Sequence, residues 1–119
     1  MDDLPIVDEG AIERLKEWGG EELPRKMIEL FLDHSGDRLQ QIRDGLASGE
    51  AGRVEAGAHS LKSSAGNVGA VRLQKLTEKA EITAEREDME GLRDLVPSVE
   101  QAHEDAVQEL RRLVERMNS

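Results

Sequence analysis

Residues 51–70 read AGRVEAGAHSLKSSAGNVGA, and their apolar members recur at three- and four-residue steps. This period is typical of an α-helix with one buried face. The apolar positions are Val54, Ala58, Leu61, Ala65 and Val68. The spacing predicts an α-helix over about residues 51–68, which Gly69 ends.

Three further segments show the same period. They are separated by glycines, by a short connection at residues 47–52 and by an acidic turn. One predicted helix has Pro24 in its first turn, where the missing N–H costs little, and two others cover about residues 70–86 and 89–117. The residues expected to be buried are Met27, Leu30, Phe31, Leu39, Ile42 and Leu46, then Leu73, Leu76 and Ala80, then Leu92, Leu95, Val99, Ala106, Leu110 and Leu113. We expect a bend at Ser35–Gly36, and a kink or helix start at Pro97.

A short helix over about residues 10–18 precedes these segments, with Asp8 as its N-cap and two glycines after it. We expect Trp18 to anchor this helix to the remainder of the protein. No segment alternates with period two, so no sheet is expected. The sequence therefore predicts one all-α domain over residues 1–119. Its fold is an antiparallel up-down-up-down four-helix bundle, with a core of about residues 20–117 and a short capping helix at 8–18.

Composition excludes several classes of function. The formal net charge of −10 disfavours nucleic acid and anionic membranes as partners. The absence of cysteine excludes disulfides and zinc–thiolate sites. No apolar run is long enough to span a bilayer, and the acidic start of the chain is unlike a signal peptide. We therefore expect a cytoplasmic protein that is a monomer, because four helices complete their own core.

His59 is predicted to lie on the outer face of the helix at 51–68. At about 100° per residue the apolar positions cluster within roughly 60° of Leu61, whereas His59 falls about 160° away. Its predicted surface neighbours are Ala56, Lys62, Ser63 and Gly66, three of which are small. Small side chains favour the approach of another protein to the imidazole. The Lys62 ammonium can reach a phosphoryl group on that ring and offset its negative charge.

The other two histidines, His34 and His103, lie on or beside apolar stripes. Neither is paired with carboxylates at a spacing typical of metal sites. We interpret both as packing or boundary residues and predict no metal site.

Residues 58–70, AHSLKSSAGNVGA, closely resemble the signature of histidine phosphotransfer (HPt) domains of multistep phosphorelays. That signature is His-x-Leu-Lys, followed by small residues and a Gly-Ala pair that starts the next helix. The match continues through Arg72, Leu73, Leu76 and Glu81. Two departures are Ala65, where the family frequently has serine, and His103, near a position that is often aromatic.

The resemblance implies that His59 is the phosphoacceptor and that Lys62 stabilises the phosphoryl group. It also implies a carrier rather than an autonomous enzyme. Its expected partners are response-regulator receiver domains, a hybrid histidine kinase, or both, and they would dock over Ala56, His59, Ser63 and Gly66. No cofactor is expected on this chain, because the receiver domain contributes the Mg²⁺.

Three alternatives remain open at this point. The dimerisation domain of a sensor histidine kinase usually has an acidic residue directly after its histidine, whereas Ser60 follows His59 here. The chain could also be the phosphoacceptor domain of a hybrid or chemotaxis-type kinase. A non-catalytic helical adaptor would use an amphipathic groove without phosphate chemistry.

Overall fold

The computed structural model of the protein describes residues 4–118, which contain five α-helices and no β-strand. The helices are α1 (Glu9–Gly19), α2 (Glu22–Ser48), α3 (Ala51–Asn67), α4 (Val71–Glu85) and α5 (Met89–Met117). The predicted all-α fold is confirmed. Residues 1–3 and 119 of the predicted 1–119 domain lie outside the described residues, so those bounds stay a prediction.

The four long helices form the bundle. Helix α3 packs between α2 and α4, and α5 packs against both α4 and α2. Short turns join consecutive helices, so neighbours run antiparallel. The core is aliphatic, and its largest fully buried side chains include Ile28, Ile42, Leu61, Leu73, Leu92 and Leu110.

Helix α1 crosses one end of this bundle and is held to the turn between α3 and α4. The Asp8 side chain accepts a hydrogen bond from Gly10 N at 3.0 Å, which confirms the predicted N-cap. The Asp8 backbone N–H donates to the Gly69 carbonyl at 2.8 Å. Gly69 has φ 71°, and a Cβ there would lie 2.7 Å from Ala11 Cβ and 2.9 Å from Asp8 O. Only glycine fits this left-handed turn under α1.

Two expectations about apolar side chains are wrong. Leu30, predicted to be buried, is 53% exposed, and Trp18, predicted to anchor α1, is 77% exposed. In α2 the buried stripe passes through Ile28 and Phe31, and Leu30 lies about 100° around the helix from Phe31. In α1, Ile12 and Leu15 supply the buried face, and Trp18 lies beyond it near the helix end.

Helices α2 and α5 each continue without interruption through the positions where a bend, a kink or a helix start is predicted. Helix α2 continues through Ser35–Gly36, and α5 starts at Met89 and continues through Pro97, which is therefore not its start. Ser35 is buried, and its Oγ hydrogen-bonds with His103 Nε2 at 2.9 Å across the bundle. His103 also packs beside Phe31, and burial lowers the pKa of its imidazole. His103 is thus a packing residue, as predicted.

Candidate functional site

His59 projects from the outer face of α3. Its side chain is 63% exposed, whereas Leu61 on the opposite face of the same helix and the adjacent Ala58 are fully buried. The predicted exposure follows directly from the helical period, because adjacent positions such as Ala58 and His59 differ by about 100° around the axis.

A carboxylate from the next helix holds the imidazole. His59 Nδ1 lies 2.6 Å from Glu81 Oε2, and the Glu81 side chain is only 12% exposed. Glu81 is on α4, which packs closely against α3 after the Gly69 turn. The contact between the two side chains therefore depends on the packing of two helices.

The same carboxylate also binds Lys62. Lys62 Nζ donates to Glu81 Oε1 at 2.6 Å, so each oxygen of Glu81 has a different partner. The hydrogen bond from Lys62, followed by the one from His59, holds the pKa of Glu81 below its ordinary value, although burial acts in the opposite direction. The bond to Glu81 correspondingly raises the pKa of Lys62, and the nearby charges of Glu78 and Glu85 add to the effect.

This network determines which ring nitrogen is available. With its pKa lowered, Glu81 is ionised at neutral pH, and an ionised carboxylate only accepts hydrogen bonds. Nδ1 of His59 must therefore be the donor. In the neutral ring the lone pair is then on Nε2, and none of residues 4–118 hydrogen-bonds that nitrogen.

The other predicted surface residues surround His59 unequally. Ala56 and Ser63 are exposed, whereas Gly66 is half-buried. The small size of Gly66 predicts open space beside it. A Cβ at Gly66 would lie 2.9 Å from Gln74 Nε2, so the Gln74 amide occupies that space. A partner that approaches His59 from the Gly66 side would therefore contact the Gln74 side chain of α4.

Glu81 is the site residue to which sequence reasoning assigned no role. It appeared only as a matching position of the family resemblance. A local signal was available, because Glu81 directly follows the buried Ala80 on α4 and so lies at the edge of the apolar stripe. An acidic residue at such an edge is positioned to contact a neighbouring helix.

In the described part of the chain, no side chains are grouped as metal ligands would be. Among residues 4–118, no group of three or more His, Asp or Glu side chains is arranged to hold a metal ion. Within the same range, none of the helices is long and apolar enough to cross a membrane.

This chain matches a family model, and solved structures share its fold. The family model of the Hpt domain matches residues 26–119. The structure of histidine-containing phosphotransfer protein B (HptB) from Pseudomonas aeruginosa PAO1 is similar to this one with a TM-score of 0.87. That protein is 25% identical, and the alignment covers 94% of this chain and 96% of the other. No protein with a curated description gives a significant match.

A second solved structure shares the fold. It is a rice protein described as a candidate histidine-containing phosphotransfer protein, with a TM-score of 0.77 and 19% identity; the alignment covers 96% of this chain and 85% of the rice chain. The family model spans most of the chain, and the bundle matches across almost its whole length. The chain is therefore a member of the Hpt domain family, the histidine phosphotransfer proteins of phosphorelay signalling.

Proposed function

We propose that His59 is the phosphoacceptor and that its Nε2 carries the phosphoryl group between receiver-domain aspartates. The observation that carries this proposal is that the two nitrogens of the exposed His59 ring differ in their hydrogen bonding. Nδ1 is held by Glu81, and Nε2 has no hydrogen-bond partner among the described residues. A nucleophile needs an accessible lone pair in a fixed orientation, and this arrangement supplies both.

The transfer step needs no proton removal from the attacking atom. The Nε2 lone pair attacks the phosphorus of an aspartyl phosphate, the N–P bond forms, and the P–O bond to the aspartate breaks. The aspartate leaves as a carboxylate. The ring becomes positively charged as the bond forms, and Glu81, which accepts from Nδ1–H, stabilises that charge. Reversal of the same step returns the phosphoryl group to a second aspartate.

Lys62 supplies positive charge beside the ring. It follows His59 by three residues, slightly less than one helical turn, on the flank of α3 that faces α4. A phosphoryl group on Nε2 adds negative charge next to Glu81, and the Lys62 ammonium offsets it. We assign Lys62 to stabilising the phosphoryl group and to holding Glu81 in place.

The remaining chemistry belongs to the partner in this proposal. Phosphoryl transfer depends on in-line positioning and on cations that neutralise the transferred group. We propose that the receiver domain provides Mg²⁺ and that this chain, acting as a monomeric carrier, provides the nucleophile. The receiver would dock over Ala56, Ser63 and Gly66.

The proposal is tested by incubating the protein with a phosphorylated receiver domain and Mg²⁺. We expect one phosphate per chain, labile in acid and stable in base, as is typical of an N–P bond. NMR of ¹⁵N-labelled protein should show coupling between phosphorus and Nε2 of His59. A phosphate stable in acid, or one bonded to Nδ1, would contradict the proposal.

Replacing Lys62 with alanine should preserve the helical content but slow phosphoryl transfer to His59 about tenfold, because one cation near the transferred group is lost. The Lys62 side chain is partly exposed, which limits the effect. Rapid-quench kinetics with the phosphorylated receiver measure the rate. Lys79→Ala, at an exposed lysine of α4, is the matched control and should transfer at the wild-type rate. Equal rates for the two variants would remove Lys62 from the mechanism.

A further inference from the structure

A pocket of about 380 Å³ lies at the end of the bundle that α1 crosses. Among residues 4–118 its walls come from α1, from the start of α2 and from the end of α5, and not from α3 or α4, which carry His59 and Glu81. The pocket is therefore separate from the phosphotransfer site. Most of its lining residues also precede residue 26, where the match to the Hpt family model begins.

One wall of this pocket is apolar. Ile12 of α1 and Leu113 of α5 are buried there, and Met117 at the end of α5 is half-buried. An apolar ligand body that lies against these side chains gains free energy by leaving water. The volume is near the lower end of the range for ligand pockets, about 300–1,000 Å³, so the pocket suits a small ligand.

Arg25 of α2 places a guanidinium in the polar wall. Its Nε is fully buried and has no hydrogen-bond partner among residues 4–118. In the same range its ion pair is with Glu22, whose Oε1 lies 3.7 Å from Nη1, too far for a hydrogen bond. A guanidinium has five N–H donors, and 32% of this side chain is exposed. Arg25 therefore presents accessible Nη donors that lack an acceptor from the described part of the protein.

The other charged groups of the pocket restrict which anion can bind. Lys16 and Arg116 add positive charge. Glu9, Glu13 and Glu21 add negative charge, and all three are exposed. Lys16 is paired with Glu13 at 3.4 Å. Because the cations and carboxylates of the lining balance, a multiply charged anion gains little net attraction, whereas a single carboxylate can form paired hydrogen bonds with the guanidinium.

We propose that this pocket binds a small monocarboxylate with an apolar body, of the chemical class of medium-chain fatty acids. The carboxylate accepts hydrogen bonds from the Nη groups of Arg25, and the hydrocarbon chain lies against Ile12, Leu113 and Met117. The bound molecule contacts both α1 and α5 and so holds α1 on the end of the bundle. This binding is independent of the proposed role of His59.

The test titrates octanoate into ¹⁵N-labelled protein and follows the Arg25 Nε–H signal and the backbone amides by NMR. We expect saturable shift changes in α1, at the start of α2 and at the end of α5. Arg25→Gln should weaken binding at least tenfold, because the charge-assisted hydrogen bonds are lost. The matched control is Lys26→Gln, which removes the same charge from an exposed lysine outside the pocket and should leave the affinity unchanged. Circular dichroism checks that both variants are folded.

Two further probes separate the head group from the apolar body. Octanol, which lacks the charge, should bind at least tenfold more weakly than octanoate, and inorganic phosphate, which lacks the chain, should not shift these amides. At ten times its Kd, octanoate should raise the Tm of the wild type by about 4 °C. His59→Gln should bind octanoate with wild-type affinity, because α3 does not line the pocket.

Three results would overturn the proposal. They are the absence of saturable shifts in the wild-type protein, equal affinities of the wild type and Arg25→Gln for octanoate, and equal affinities of the wild type for octanoate and octanol. A loss of octanoate binding in His59→Gln would place the ligand at the phosphotransfer site and would overturn it as well.

Discussion

We expect His59→Gln to abolish phosphoryl transfer to this protein, with a rate about 10³-fold or more below that of the wild type. The glutamine amide nitrogen shares its lone pair with the carbonyl and is not a nucleophile, so no N–P bond can form. The position is 63% exposed, and glutamine is a good helix former, so the bundle should remain intact. Transfer of ³²P from a phosphorylated receiver in the presence of Mg²⁺ measures the effect, and circular dichroism checks the fold.

The other two histidines provide the controls for this experiment. His34 is exposed, and His103 is half-buried against Phe31 and Ser35. His34→Gln and His103→Gln should both accept phosphate to the wild-type extent. Labelling that persists in His59→Gln, or is lost only in one of the control variants, would move the phosphoacceptor to another residue.

Removing the Glu81 carboxylate should have the second largest effect. We expect Glu81→Leu to slow transfer to His59 about 100-fold, because the ring loses both its orientation and the charge that stabilises the imidazolium. Glu81→Gln should be intermediate. Its amide oxygen can still accept from Nδ1–H, but it lacks the charge, and its NH₂ group can favour the wrong tautomer. The ¹⁵N chemical shifts of the His59 ring report the tautomer directly.

The matched control is Glu85→Gln on the same helix. Glu85 is exposed and acts on Lys62 only through its charge, without a hydrogen bond to His59. We expect its transfer rate and its ring shifts to remain those of the wild type. If Glu81→Leu left the tautomer populations and the rate unchanged, Glu81 would have no positioning role.

Most of the helical architecture was predictable because it depends on local patterns. The Asp8 cap and the period of α3 each involve residues within a few positions of one another, and both predictions are confirmed. Leu30 shows the limit of this approach. The spacing of Leu30 approximately fits the buried stripe and predicts its burial, although Ile28 supplies that contact. Hydrophobicity alone does not distinguish a core position from one that faces solvent.

Trp18 illustrates the same limit at a helix end. A single tryptophan in a chain with few aromatics suggested an anchor, yet it is 77% exposed. The short α1 has only one face against the bundle, and Ile12 and Leu15 already occupy it. Trp18 follows Leu15 by three residues and lies outside that buried face.

By itself, the sequence determined that His59 projects from α3 away from the core, because a helix places each side chain at a fixed angle from its neighbours. Only the tertiary structure decided that Glu81 holds Nδ1 and also binds Lys62, since these contacts join α3 to α4 across 22 and 19 residues. Such contacts depend on the relative rotation and register of two packed helices. The Gly69 turn and the interdigitated core side chains set both, and no local period encodes them.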